Sequence, residues 1–189
     1  METLNEQRRQ QNFELFKKKL QGLGVNTEDL ERFFGKDLTN GTYSLANKDN
    51  TVCGDGHLLN TILRTLTPIA LNLNKLLPEE KQANTESLLK TCLLHQISKC
   101  TMMIPNDNKW EIETRGMLYK FNNDYPYALK MGMRSLAMCI NCGITLTENE
   151  IEAIANLDRD DDKQVKFHSS PLSIVLRQAI ELTDIATRI

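Results

Sequence analysis

Between His57 and Cys100 the apolar residues recur at intervals of three and four. Leu59, Ile62, Leu66, Ile69, Leu73 and Leu76 form one such stripe, the repeat of an amphipathic α-helix. Pro68 falls inside it and is expected to kink or divide the helix, because proline lacks the backbone N–H and its ring meets the preceding turn. A loop, LPEEKQAN, leads to a second buried helix predicted over 85–100. A chain with two such helices in its middle has to wrap the remainder around them.

The flanks agree. Residues 3–23 read as a polar helix with Leu4, Phe13, Phe16 and Leu20 on one stripe, stopped by Gly22 and Gly24. Thr27 is placed to cap a short helix, TEDLERFF, with Gly35 as its end. Residues 36–54 are rich in Asn, Asp, Gly and Thr and predict loops around a short extended piece, YSLAN. Pro105, Asn106 and Asp107 predict a turn, and the runs around them predict a β-hairpin carrying Trp110, Ile112, Leu118, Tyr119 and Phe121. Three further helices are predicted: Tyr125 to Cys142, ended by Gly143; one opened by a Thr147/Glu150 capping box and running to about Leu157; and one opened by Ser170 and Pro171. The expected fold is mainly α, about seven helices with one small β-hairpin. It divides into an N-terminal helical extension, 1–42, and a helical domain, 43–189, in one compact unit.

Composition narrows the function classes. Apolar residues make up 40% and charged residues 25% of the 189, enough for a real core. The 23 Lys and Arg against 25 Asp and Glu leave a formal charge of −2, which supplies no broad footprint for nucleic acid. No run approaches the roughly 18 apolar residues of a membrane span, and the polar start METLNEQRRQ does not read as a secretory signal. The expectation is a soluble, cytoplasmic protein with no membrane partner.

Five cysteines, Cys53, Cys92, Cys100, Cys139 and Cys142, are an odd set that favours reduced thiols over a disulfide framework. Cys139 and Cys142 have CxxC spacing, but they sit in an apolar helical run, SLAMCINCGITL, with no second CxxC to complete a zinc site. Cys92 and His95, with Cys100 nearby, also lack a matching pair. Asp158, Asp160 and Asp162 have the first spacings of a calcium loop, but Lys163 and Ser169 stand where glycine and glutamate belong. His168 is expected in a surface loop, and Lys17, Lys18 and Lys19 on a solvated helix face. No GxGxxG, Walker or GxSxG motif is present.

One ordered set of residues carries chemistry: His57 in GHLLNTIL, His95-Gln96 in LLHQISK, and Asp184 in LTDIAT. Their order resembles the HD-domain superfamily of metal-dependent phosphohydrolases, in particular its bacterial members. Those helical proteins gather a His, a His-Asp doublet and a late Asp around a divalent metal. The hairpin with NDNKWEIE, the start of NDYPYALKMGMRS and the TENEIEAI helix are also similar to that subgroup, over about Tyr43 to the end. The departures are specific. Gln96 stands where the doublet's Asp belongs, and Met131 and Leu157 stand where histidines are usual. Glu181, one turn before Asp184, is an alternative acidic ligand.

The resemblance therefore implies a helical HD-like bundle with an eroded metal site at His57, His95, Gln96 and Asp184. Replacing a carboxylate by Gln96 removes one negative charge and adds an amide donor, whereas hard divalent ions prefer anionic oxygen. At most a weakly bound Mn, Fe, Zn or Mg ion is implied. Lys99, one turn after His95, is the candidate phosphate-binding residue; the competing expectation is a lysine snorkelling from a helix end. The leading reading is a non-catalytic binding or regulatory module for a nucleotide or other phosphorylated ligand. A weakly active mononuclear phosphohydrolase and a protein-interaction scaffold stay open beside it.

Overall fold

The computed structural model describes residues 3–44, 52–125, 128–158 and 170–187. It is mainly helical, with two short antiparallel ribbons. Helix α1, Glu6–Gly22, opens with Asn5 accepting from Arg8 N at 2.9 Å and buries Asn12, Phe13, Phe16 and Leu20, so the stripe read from the sequence is the packed face. Helix α2 runs over Glu28–Asn40. It does not stop at Gly35, which lies buried within it; a Cβ there would stand 3.4 Å from the Phe13 ring. The glycine packs beside α1 and does not end the helix. The predicted loop from residue 36 is correspondingly helix as far as Asn40.

Strand β1, Tyr43–Ser44, pairs with β2, Val52–Cys53, a ribbon beyond the one hairpin expected. Gly56, at φ +81°, then turns the chain into α3, His57–Thr61. Where the sequence predicts a kink, Ile62–Leu66 forms a π-helical turn leading into α4, Thr67–Lys75, with Pro68 in its first turn. The wider turn rotates the buried face. Leu58, Leu59, Ile62 and Leu63 enter one apolar cluster, while Leu66 and Ala70 enter a second. Leu76, the predicted end of the stripe, lies past the helix and is 80% exposed.

Helix α5 covers Thr85–Leu94, capped by Asn84, and the predicted single helix to Cys100 is instead divided, with a 3₁₀ segment at Ile97–Thr101. The second ribbon pairs β3, Met103–Pro105, with β4, Tyr119–Phe121. Between them lies α6, Lys109–Arg115, so Trp110 and Ile112 are helical rather than strand residues. Asn108 accepts from Trp110 N and Glu111 N, an N-cap that outweighs the β-propensity of the aromatic and branched residues.

Helix α7 is Met131–Asn141, shorter at its start than predicted and ended by Gly143 at φ +65°. Helix α8, Glu148–Ala155, carries the predicted capping box, and α9 is Pro171–Thr187. The first cluster joins Phe13, Phe16 and Leu20 of α1 to Leu58, Leu93, Leu94, Met138 and Ile154, so α1 is part of the main core. The second joins α4 and α5 to Leu172, Val175 and Leu176 of α9. No described helix is long and apolar enough to cross a membrane.

Candidate functional site

Every residue from Thr91 to Cys100 is buried. A one-sided amphipathic helix cannot do this, so the polar members of LLHQISK must be served from inside. His95 caps α5, its N–H bonded to Thr91 O at 2.9 Å; Gln96 leaves the helix at φ −121°, ψ 18°, and the chain tightens into the 3₁₀ turn with Lys99 N on Gln96 O at 3.0 Å.

His95 Nδ1 lies 2.9 Å from Cys92 O. A carbonyl only accepts, so Nδ1 carries the proton and Nε2 holds the lone pair. That Nε2 is buried and has no hydrogen-bond partner among the described residues. Burial, and secondarily the Lys99 ammonium, holds the imidazole down at about 3, so it is neutral at physiological pH.

Lys99 is 1% exposed, and its Nζ stands 4.2 Å from the centre of the Tyr43 ring, within cation–π range. The buried Tyr43 donates its hydroxyl proton to Asp184 Oδ1 at 2.8 Å. Thus α9 supplies Asp184, β1 supplies Tyr43, and the 3₁₀ turn supplies Lys99. Lys99 and Asp184 are joined through a tyrosine that the sequence reading did not assign to the site. No local signal marks Tyr43; its partner lies 141 positions away.

His57 is buried at the first position of α3, a helix packed against β1 and the 3₁₀ turn. Gln96 is buried beside His95 in the chain. Glu181 is exposed and so is not an inward alternative to Asp184. Met131 is half-buried, and its carbonyl accepts from Ser98 Oγ at 3.1 Å. Leu157 is half-buried against the second apolar cluster.

A divalent metal, as the resemblance implies, does not fit these residues. Among the described residues no three His, Cys, Asp or Glu side chains form a group able to hold an ion. Asp184 is engaged by the Tyr43 phenol, Gln96 brings no charge, and Lys99 puts a buried cation beside His95. Buried like charges repel strongly where water cannot screen them.

Cys92, Cys100, Cys139 and Cys142 are free and buried. Burial pushes the Cys92 and Cys139 thiols up to about 12, far from the thiolate that redox or zinc chemistry needs. Asp160, Asp162 and His168 lie outside the described residues. A cavity of about 1070 Å³ is present, but it lies between α1, α2 and the β3–β4 ribbon. None of His57, His95, Gln96, Lys99 and Asp184 lines it. No family model matches this chain, and neither a curated protein nor a solved structure matches it.

Proposed function

We propose that this chain is an HD-like domain with an eroded metal site, acting as a non-catalytic binding or regulatory module for a nucleotide or other phosphorylated ligand. The observation that carries this reading is the buried charge at Lys99. A hydrolytic metal site concentrates carboxylates; here a lysine 1% exposed stands over Tyr43, beside a histidine that stays neutral. Such surroundings oppose a second cation. The test is metal content by mass spectrometry after separate incubation with Mn, Fe and Zn and gel filtration, together with AMP titration by calorimetry. No retained metal, no turnover of nucleoside phosphates, and AMP binding weakened in Lys99→Gln are expected. Hydrolysis at enzymatic rates that His95→Ala abolishes would overturn the reading.

The alternative, a weak mononuclear phosphohydrolase, would need the partnerless His95 Nε2 lone pair to serve as a metal ligand although no three-ligand group surrounds it among the described residues. For that alternative, a stoichiometric ion must be retained and must be lost in His95→Ala.

A further inference from the structure

Helix α9 packs its inner face on α4, α5 and α8 and leaves a second line of side chains in solvent. Ile174, Gln178, Glu181 and Ile185 fall on that line, at the three- and four-residue spacing of one helix face. Ile174 is 39% exposed and Ile185 64%, and Leu182 beside them is 44% exposed. Single apolar residues scattered over a surface are ordinary. Here they are in register, one isoleucine at each end of the line and two polar residues between. Arg177 is exposed on one flank, and Glu181 forms no ion pair with another described residue.

The pattern is complementary to itself when the helix is reversed. Turning a second copy end over end about a point between Ala179 and Ile180 sets Ile174 against the partner's Ile185 and Gln178 against the partner's Glu181. Each contact is made twice. Like flanks meet in an antiparallel helix pair, so Arg177 comes within one residue of register with the partner's Glu181. That carboxylate then accepts from an amide and from a guanidinium. Parallel packing would instead oppose Glu181 to Glu181 and Arg177 to Arg177, which like-charge repulsion disfavours. A two-fold interface requires one patch that fits its own copy, and this line of residues meets that requirement.

We infer that the exposed face of α9 is a homodimer interface, with two copies of the helix packed antiparallel about a two-fold axis. Ile174 packs on the partner's Ile185, and Arg177 pairs with the partner's Glu181. A helix of this length spans only about 25 Å. The contact is therefore small, and the dimer forms at roughly 10–100 µM chain rather than at nanomolar concentration. The inference does not rest on the phosphorylated-ligand reading, since Asp184 is turned to Tyr43 and lies off this line.

Sedimentation equilibrium of the full chain over about 10–500 µM tests it, a range that brackets the expected constant. The average mass should rise from one chain toward two. Ile185→Asp, Glu181→Arg and Arg177→Glu should each weaken association about tenfold or more, with the circular dichroism and thermal midpoint of the natural chain retained. The double variant Arg177→Glu/Glu181→Arg exchanges the charges on both sides and should recover association to within about threefold. Lys99→Gln should leave association unchanged, which separates failure here from failure of the nucleotide reading. A chain that stays monomeric throughout the range overturns the proposal. So does a dimer indifferent to both Ile185→Asp and Glu181→Arg, or a double variant that associates no better than the single ones.

Discussion

His95 shows how a single buried side chain couples stability to pH. Its Nδ1–H is committed to Cys92 O, and a second proton on Nε2 would have to be carried in a dry interior beside Lys99. The folded imidazole therefore titrates at about 3, while the unfolded one titrates near 6.5. Between those values the unfolded chain binds more protons, so His95 supports the fold fully above 6.5. That support drains away as pH falls toward 3, by up to about 1.4 kcal/mol per pH unit. Urea unfolding midpoints measured from pH 7 to pH 4 should fall more steeply in the natural protein than in His95→Gln. Parallel curves would mean that His95 takes its proton without leaving the fold. That His95 is interior was partly legible in LLHQISK, read as part of a buried helix; Lys99, for which snorkelling from a helix end was the competing expectation, is 1% exposed and sits on a 3₁₀ turn. Tyr43 was not legible as their companion, because a hydrogen bond spanning 141 positions leaves no trace in local sequence.

At the scale of elements, the strongest local signals were those in which a few adjacent residues satisfy one another. Thr147 N donates to Glu150 Oε2 at 2.9 Å, and Glu150 N donates to Thr147 Oγ1 at 3.3 Å, the capping box that the spacing predicts. The same Glu150 oxygen also accepts from Lys90 Nζ of α5 at 3.1 Å, a link that only packing discloses. Thr147→Ala should then cost about 1 kcal/mol. Glu150→Ala should cost more, about 2–3 kcal/mol, because the cap and a largely desolvated charge-assisted bond between helices are lost together. Equal urea midpoints for the two variants would show that the α5–α8 link contributes nothing. Gly35 is the converse case. In sequence it has the form of a helix end, but the helix runs on to Asn40 and buries Gly35 against the Phe13 ring. The same holds for Trp110 and Ile112, whose strand propensity yields to the Asn108 cap.

For the molecule as a whole, the question is whether the N-terminal segment is an appendage or part of the core. Phe13, Phe16 and Leu20 lie in the same apolar cluster as Leu58, Leu59, Leu93, Leu94, Met138 and Ile154. Truncating one large buried side chain commonly costs about 3–5 kcal/mol, and a domain's whole stability is about 5–15 kcal/mol. Deleting residues 1–24 should therefore abolish cooperative thermal unfolding and the near-ultraviolet circular dichroism of the packed state. A sharp transition retained in the shortened chain would assign α1 to an extension instead. The deletion would also remove Arg9, one wall of the cavity.

The division between sequence and tertiary structure follows from the range of the forces involved. Helical class, the buried face of α1, the break at Pro68, the capping box and the Pro171 helix start were determined by the sequence itself. Each depends on backbone hydrogen bonding and apolar periodicity within one or two turns. The sequence also suggested His57, His95, Gln96 and Asp184, with Lys99 beside them, as a candidate set. Only the tertiary structure decided what that set is made of: Asp184 held by Tyr43, Lys99 buried over the same ring, Glu181 turned outward, and no three-ligand group among the described residues. It also decided that the cavity lies between α1, α2 and the β3–β4 ribbon rather than against the histidines. Burial and long-range pairing set charge states and open space, and both arise from residues far apart in the chain.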